Sequence, residues 1–181
     1  MAEPQIIARV GSNLAELRRA RGWSAAELAR RAGVGKATLS EIEAGRRNAT
    51  LETLFALTTA LSVPLSQALL GAEAQSGPPR VEGQAVIAEL AACYEDTEAT
   101  TELYRVTVRA LAPTHPAAHG TGLSKTAIGF TGVLAVAFDD DAFQVEAGES
   151  RTWAAERPHT YVAVGGEDAE LAILMRYSVG V

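Results

Sequence analysis

Cysteine is almost absent from this 181-residue chain. Cys93 stands alone, so no internal disulfide can staple the fold, as suits a reducing compartment. In the apolar stretch "LAACY" it reads as a small buried side chain rather than a redox sensor. Long apolar runs are missing too: nothing reaches the ~18 consecutive apolar residues of a membrane-spanning helix. The opening "MAEPQIIARV" lacks the charged-then-apolar layout of a secretory signal. A cytoplasmic protein with no membrane association is therefore expected. Histidine is scarce as well, with three in all, His115, His119 and His159, which bounds any metal site.

What is present is unevenly spread. The net charge is −6. Residues 1–70 carry nine Lys/Arg against six Asp/Glu, a balance of +3, and residues 71–181 carry seven against sixteen, a balance of −9. The asymmetry points the first part, and not the second, towards a polyanion. Apolar residues recur every three or four positions from Ile7 to Leu70 (Ile7, Val10, Leu14, Leu17, then Leu51, Leu54, Leu57, Leu61), which is helical periodicity. From Glu102 onward the period becomes two, and "VLAVAF", "AFQVEA", "TYVAV" and "LAILMRY" read as short strands between turn-forming clusters. "QAVIAELAACY" fits either a strand or a short helix, with strand favoured. Between the halves, "GAEAQSGPPR" has linker composition. Three segments follow: an all-α domain over 1–70, a linker over 71–80 and an all-β domain over 81–181.

Within the first segment, Ser24-Ala-Ala-Glu27 has the form of a capping box, in which the serine caps the helix start and the glutamate reaches back. Gly33 supplies the left-handed turn that ends this helix, and a second opens at Lys36 behind Gly35. Ala29 is small where the two helices cross, and Val34, Leu39 and Ile42 are the buried positions. The outward face of the second helix carries Lys36, Ala37, Ser40 and Glu41, with Thr38 beside them, and Arg46, Arg47 and Asn48 follow as a phosphate-binding cluster by composition.

Residues 7–70 resemble the Xre/Cro-type DNA-binding domain of transcriptional regulators. The motif is long, and Leu14, Arg18, Trp23, Ser24, Glu27, Leu28, Ala29, Gly33, Val34, Leu39, Ser40, Ile42, Glu43, Gly45, Arg47, Thr50, Leu51, Thr53 and Leu54 all fit it. Ala25 stands where a glutamine often contacts the DNA backbone, and Ala49 replaces the usual proline. The resemblance implies five helices and a DNA interface drawn from Ser24, Lys36, Ala37, Thr38, Ser40, Glu41, Arg46 and Arg47. It also implies a homodimer on a near-palindromic double-stranded operator.

Seven or so short strands with Gly-rich turns suggest a small sandwich or barrel. With a helix-turn-helix in front, the arrangement resembles regulators whose C-terminal domain is a cupin-like barrel. Aligned on Gly132, the first cupin motif places His119 at a histidine position, but Thr121 at the second and Lys125 at the glutamate. Aligned on Gly148, the second motif places His159 at its histidine, but Ala154, Glu156 and Ala163 at its proline, second glycine and asparagine.

A family metal site takes three histidines and a carboxylate. An ammonium in place of the carboxylate inverts the local charge and removes a ligand, so no metal or other cofactor is expected, and His115 lies outside the register. The alternative is a metal-dependent cupin enzyme carrying a helix-turn-helix domain with no regulatory role. For the pocket two readings stand. His119, Thr121, Lys125 and His159 converge with Trp153, Tyr161 and Phe130 as walls, and hold a small anionic effector. Or Lys125 reaches the surface and His159 is satisfied within its strand. The sequence leaves open whether Arg105 and Arg109 face the pocket or solvent. The favoured function is a DNA-binding regulator, a repressor with an effector-sensing barrel, and not an enzyme.

Overall fold

The computed structural model describes residues 3–70, 79–110 and 122–178. The chain divides into two units, Met1–Gly77 and Pro78–Val181. Most of the expected linker, residues 71–78, lies outside the described residues.

The first unit is all-α: α1 (Glu3–Ala20), α2 (Ala25–Ala32), α3 (Lys36–Glu43), α4 (Leu51–Ala60) and α5 (Leu65–Leu70). Its core is leucine, and Leu14, Leu28, Leu39, Leu57, Leu61 and Leu65 are fully buried. The spacing of these residues puts one apolar stripe on each helix, and burying those stripes together holds the short helices, which would not persist alone. Local signals set the ends. Thr50 Oγ1 accepts from the Thr53 backbone N–H at 3.3 Å to open α4, and Gly33 closes α2 at φ 65°. Asn13, buried on α1, donates from Nδ2 to the Ala68 carbonyl at 3.0 Å and ties α1 to α5.

Helices α1 and α3 meet at a glycine. A Cβ placed on Gly11 would stand 2.0 Å from the Ile42 carbonyl oxygen. Only a hydrogen leaves room for the end of α3 to lie against α1.

The second unit is all-β, as expected. Among the described residues nine strands form it: β1 (Arg80–Glu82), β2 (Val86–Glu95), β3 (Ala99–Val108), β4 (Leu123–Thr131), β5 (Val133–Ala137), β6 (Ala142–Val145), β7 (Ser150–Ala154), β8 (Thr160–Val164) and β9 (Ala169–Ser178). The stretch "QAVIAELAACY" thus enters β2 as a strand. A six-stranded sheet runs β1-β2-β3-β9-β4-β7 and a three-stranded sheet runs β6-β5-β8. Every named pairing is antiparallel, and isolated bridges Ala110↔Ala163 and Gly129↔Ala147 join the two sheets.

Alternation decides what faces inward. On β3, Glu102, Tyr104, Val106 and Val108 are buried while Arg105 is exposed. Arg105 and Arg109 do not enter the interior: Arg109 turns outward to Glu82 and to the Gln84 carbonyl. Cys93 is half-buried opposite Glu102 on β3 rather than deep in the core. No helix among the described residues is long and apolar enough to cross a membrane.

The contact at Gly11 makes a direct prediction. Gly11→Ala should destabilise the first unit by about 1–3 kcal/mol, the usual cost of forcing extra carbon into close-packed space. The exposed neighbour, as Ser12→Ala, should stay within about 0.5 kcal/mol of wild type. Chemical denaturation followed by Trp23 fluorescence, with Trp153 replaced by Phe in all variants, measures both.

Candidate functional site

The first candidate surface is built around α3. Ser24 Oγ accepts from the Glu27 backbone N–H at 3.1 Å, so the serine caps α2 as expected. The other half of the capping box does not form. The Glu27 carboxylate turns forward to Arg30 and Arg31, with Oε1 2.6 Å from Arg31 Nε. Two guanidinium groups at i+3 and i+4 outcompete one backbone amide, and they hold the Glu27 pKa below its ordinary value. Ala29 is buried at the crossing of α2 and α3. Leu39 and Ile42 are buried too, whereas Val34 is half-buried, because it sits in the turn after Gly33 and not on a helix face.

What holds α3 in place is an ion pair. Arg18 on α1 grips Glu43 with two bonds, Nε to Oε1 at 2.7 Å and Nη2 to Oε2 at 2.8 Å, and gives Nη1 to the Trp23 carbonyl at 2.7 Å. Both side chains are only 11% exposed. Donating to the Glu43 carboxylate raises the Arg18 pKa above its ordinary value, so the guanidinium stays charged.

With its inner face fixed, α3 presents Lys36, Ala37, Ser40 and Glu41 to solvent, with Thr38 half-buried. Ser24, Arg46 and Arg47 are exposed beside them. One pairing was not anticipated: Arg47 Nη1 lies 3.6 Å from Glu41 Oε2. The Glu41 carboxylate therefore leans towards the basic loop that follows α3.

The second candidate site is inside the barrel. Lys125 on β4 is 3% exposed and does not reach the surface. Its Nζ lies 3.3 Å from His159 Nε2 and donates to the Tyr161 hydroxyl at 3.1 Å. His159 Nδ1 lies 2.8 Å from the Arg157 carbonyl oxygen. A carbonyl can only accept, so Nδ1 carries the hydrogen and Nε2 turns its lone pair to the lysine. Trp153, the cross-strand partner of Lys125, closes the group. Its ring centroid is 6.0 Å from that of His159 and 6.4 Å from that of Tyr161, edge to face in both cases.

Burial governs the charges. Desolvation brings the Lys125 amine from 10.5 down to about 7. It brings His159 from 6.5 down to about 4, helped by the neighbouring amine. The Tyr161 phenol is pushed up, again by burial.

Lys125, Trp153, His159 and Tyr161 are thus brought together. His115, His119 and Thr121 lie outside the described residues. Phe130, expected as a wall, is 53% exposed and points away. Buried positions on β4 are Leu123, Lys125, Ala127 and Gly129, so Phe130, in phase with Thr126 and Ile128, falls on the outer face by alternation alone. Its place is taken by Phe138 and Phe143, with ring centroids 5.8 Å from His159 and 5.4 Å from Trp153 respectively.

A second buried cluster was also not anticipated. Glu102 is fully buried, and its Oε2 accepts from the Tyr104 hydroxyl at 2.9 Å and the Tyr177 hydroxyl at 3.1 Å. The signal was in the alternation: Glu102 precedes Tyr104 by two residues and so shares its inward face.

Of the residues aligned with the family's metal-ligand positions, the two that are described, Lys125 and His159, do not fit a metal. The one lone-pair nitrogen of His159 faces the Lys125 amine, where an ion would have to stand. Among the described residues, no three of His, Cys, Asp and Glu gather closely enough to hold one.

With this geometry in view, similarity to known proteins can be stated. A helix-turn-helix family model, HTH_3, matches residues 14–67. The HTH-type transcriptional regulator SutR of Escherichia coli K12 is 28% identical over 171 residues, 93% of this chain and 94% of that protein. The uncharacterized HTH-type transcriptional regulator y4dJ of Sinorhizobium fredii is 48% identical over 54 residues, 30% of this chain and 70% of that protein. The crystal structure of an HTH_3 family transcriptional regulator from Vibrio cholerae shares the fold, with a TM-score of 0.79 at 24% identity over 96% of this chain and 98% of that one.

The depressed lysine implies a pH signature. Between about 7 and 10.5 the unfolded chain binds a proton at Lys125 that the folded chain does not. Stability therefore rises with pH across that window. Lys125→Met should flatten the rise, measured as the denaturation midpoint against pH. An unchanged slope in the variant would contradict the burial of a neutral amine.

Proposed function

We propose that this chain, which belongs to the HTH-type transcriptional regulators, is a cytoplasmic repressor that binds DNA as a homodimer and senses a small anionic effector in its barrel. The observation that carries the DNA reading is the exposed row Lys36, Ala37, Ser40 and Glu41 on a helix whose inner face is clamped by Arg18 and Glu43. Short side chains at the start of α3 let the backbone approach base edges. Lys36 can then donate to a guanine, and Glu41 can accept from a cytosine. Arg46 and Arg47 contact phosphates and set position rather than sequence. Two copies place two such helices in successive major grooves, about 34 Å apart, on a near-palindromic site, and occlude it.

The effector reading rests on Lys125, His159, Tyr161 and Trp153, with His119 and Thr121 as further members of the same site. An anion entering beside Lys125 draws a proton onto the amine and balances the charge of the ammonium that forms in the buried site. Binding changes DNA affinity only in so far as the effector favours one arrangement of the protein over another. The chain is not an enzyme in this reading, because the nitrogen of His159 that would serve a metal is engaged by the lysine.

DNA binding titrated by fluorescence anisotropy tests the interface. Arg47→Ala should weaken binding to cognate and random duplexes alike, and lower the slope of log affinity against log salt by about 1. Lys36→Ala should cost about 1–3 kcal/mol on the cognate duplex and little on a random one. The reverse pattern would reassign the two roles. Sedimentation with one duplex should give two chains per operator. Lys125→Met should abolish any release of DNA by an anionic effector while the chain still binds the duplex.

A further inference from the structure

An ammonium and a neutral amine ask for different ligands. The amine of Lys125 is buried beside a hydrogen-bond acceptor, His159 Nε2 at 3.3 Å, and a hydroxyl, Tyr161 at 3.1 Å. Burial keeps it close to half neutral near pH 7, whereas an exposed lysine is almost wholly charged there. A desolvated lysine amine is the form that attacks carbonyl carbon.

A second observation bears on the same space. The indole Nε1–H of Trp153 is buried with no hydrogen-bond acceptor among the described residues, on the residue directly across the strand pair from Lys125. A buried donor left without an acceptor costs about 1–3 kcal/mol, so it suits a ligand that brings an oxygen.

We propose that the barrel holds its effector covalently, as a reversible imine between Lys125 and a 2-oxo acid, with the ligand carboxylate taken by the Trp153 indole N–H. This inference rests on the effector reading above and names its chemical class. Nζ attacks the carbonyl carbon and a C–N bond forms. One amine proton passes to His159 Nε2, while the Tyr161 hydroxyl gives a proton to the carbonyl oxygen. The C–O bond then breaks as His159 returns its proton to the departing oxygen, which leaves as water. Nitrogen gives up its second proton to the Tyr161 oxygen, so both side chains return to their starting state, and no oxidant or reductant is consumed. The imine picks up a proton readily, and the carboxylate on the adjacent carbon balances that charge. A free anion would face a lysine that burial keeps from being fully charged, whereas a 2-oxo acid brings its electrophile and its counter-ion together.

The test is clean because the chain has two lysines, Lys125 and the exposed Lys36. The full-length protein is incubated with pyruvate and sodium cyanoborohydride at neutral pH, and reduced adducts are located by peptide mass spectrometry. Lys125 should be labelled at least about tenfold more than Lys36, the direction its depressed pKa requires. Equal labelling, or preference for Lys36, overturns the proposal. Acetaldehyde, which has no carboxylate, should show a several-fold smaller preference for Lys125, and an equal preference overturns the role of Trp153.

The two readings separate in one further experiment. Release of DNA by pyruvate that persists in Lys125→Arg overturns the imine and leaves the effector reading standing. Selective labelling of Lys125 with no effect of pyruvate on DNA affinity supports the imine and counts against the effector reading.

Discussion

A charged group taken out of water must be paired or shifted towards neutrality, and that constraint shapes both units. In the helical unit it acts through Arg18, which answers Glu43 twice and the Trp23 carbonyl once. A guanidinium and a carboxylate buried to this degree are stable only as a fork, because the loss of either leaves a charge without compensation. The fork joins the end of α1, the turn before α2 and the end of α3. Together with the bare backbone at Gly11 it fixes how the outer face of α3 is offered. In the barrel the same constraint yields the opposite charge state. Lys125 has histidine and tyrosine beside it, and desolvation shifts the amine towards neutrality.

The two units therefore use charge in complementary ways. The helical unit keeps permanent cations at its surface, where Arg46 and Arg47 can meet phosphates, and trims that field with Glu41. The barrel takes its cation inside and makes it conditional on what enters. The proposed function draws on both: a charge that never titrates and one that a ligand could switch. Glu102, held by Tyr104 and Tyr177, is a further buried ionisable group, and it lies on the same cross-strand row as Met175 and Lys125.

Much of this was legible from the chain because the signals are local. Ser24, Gly33, Gly35 and Thr50 act within one helical turn, and the leucine spacing needs only neighbours three and four residues away. The strands after Glu102 show in their alternation, which is set by the pleat. The errors lie where one local signal overrides another or where a distant partner intervenes. Glu27 turns to Arg30 and Arg31 instead of Ser24. Phe130 has the opposite phase to Lys125 on β4 and so faces outward. Phe138 and Phe143 enter the site from a hairpin whose position depends on pairing in the smaller sheet.

By itself, then, the sequence determined the helix ends, the leucine stripes, the face of α3 that stays polar and the inward phase of the strands, since each depends on backbone sterics and period alone. It also set which residue types could meet in the barrel, with lysine in place of a carboxylate. Only the tertiary structure decided that Lys125 is sealed from water, that His159 offers it a lone pair, and that the Trp153 N–H meets no acceptor among the described residues. Those are properties of distance and dielectric, and both come into being when strands remote in sequence close around the same space.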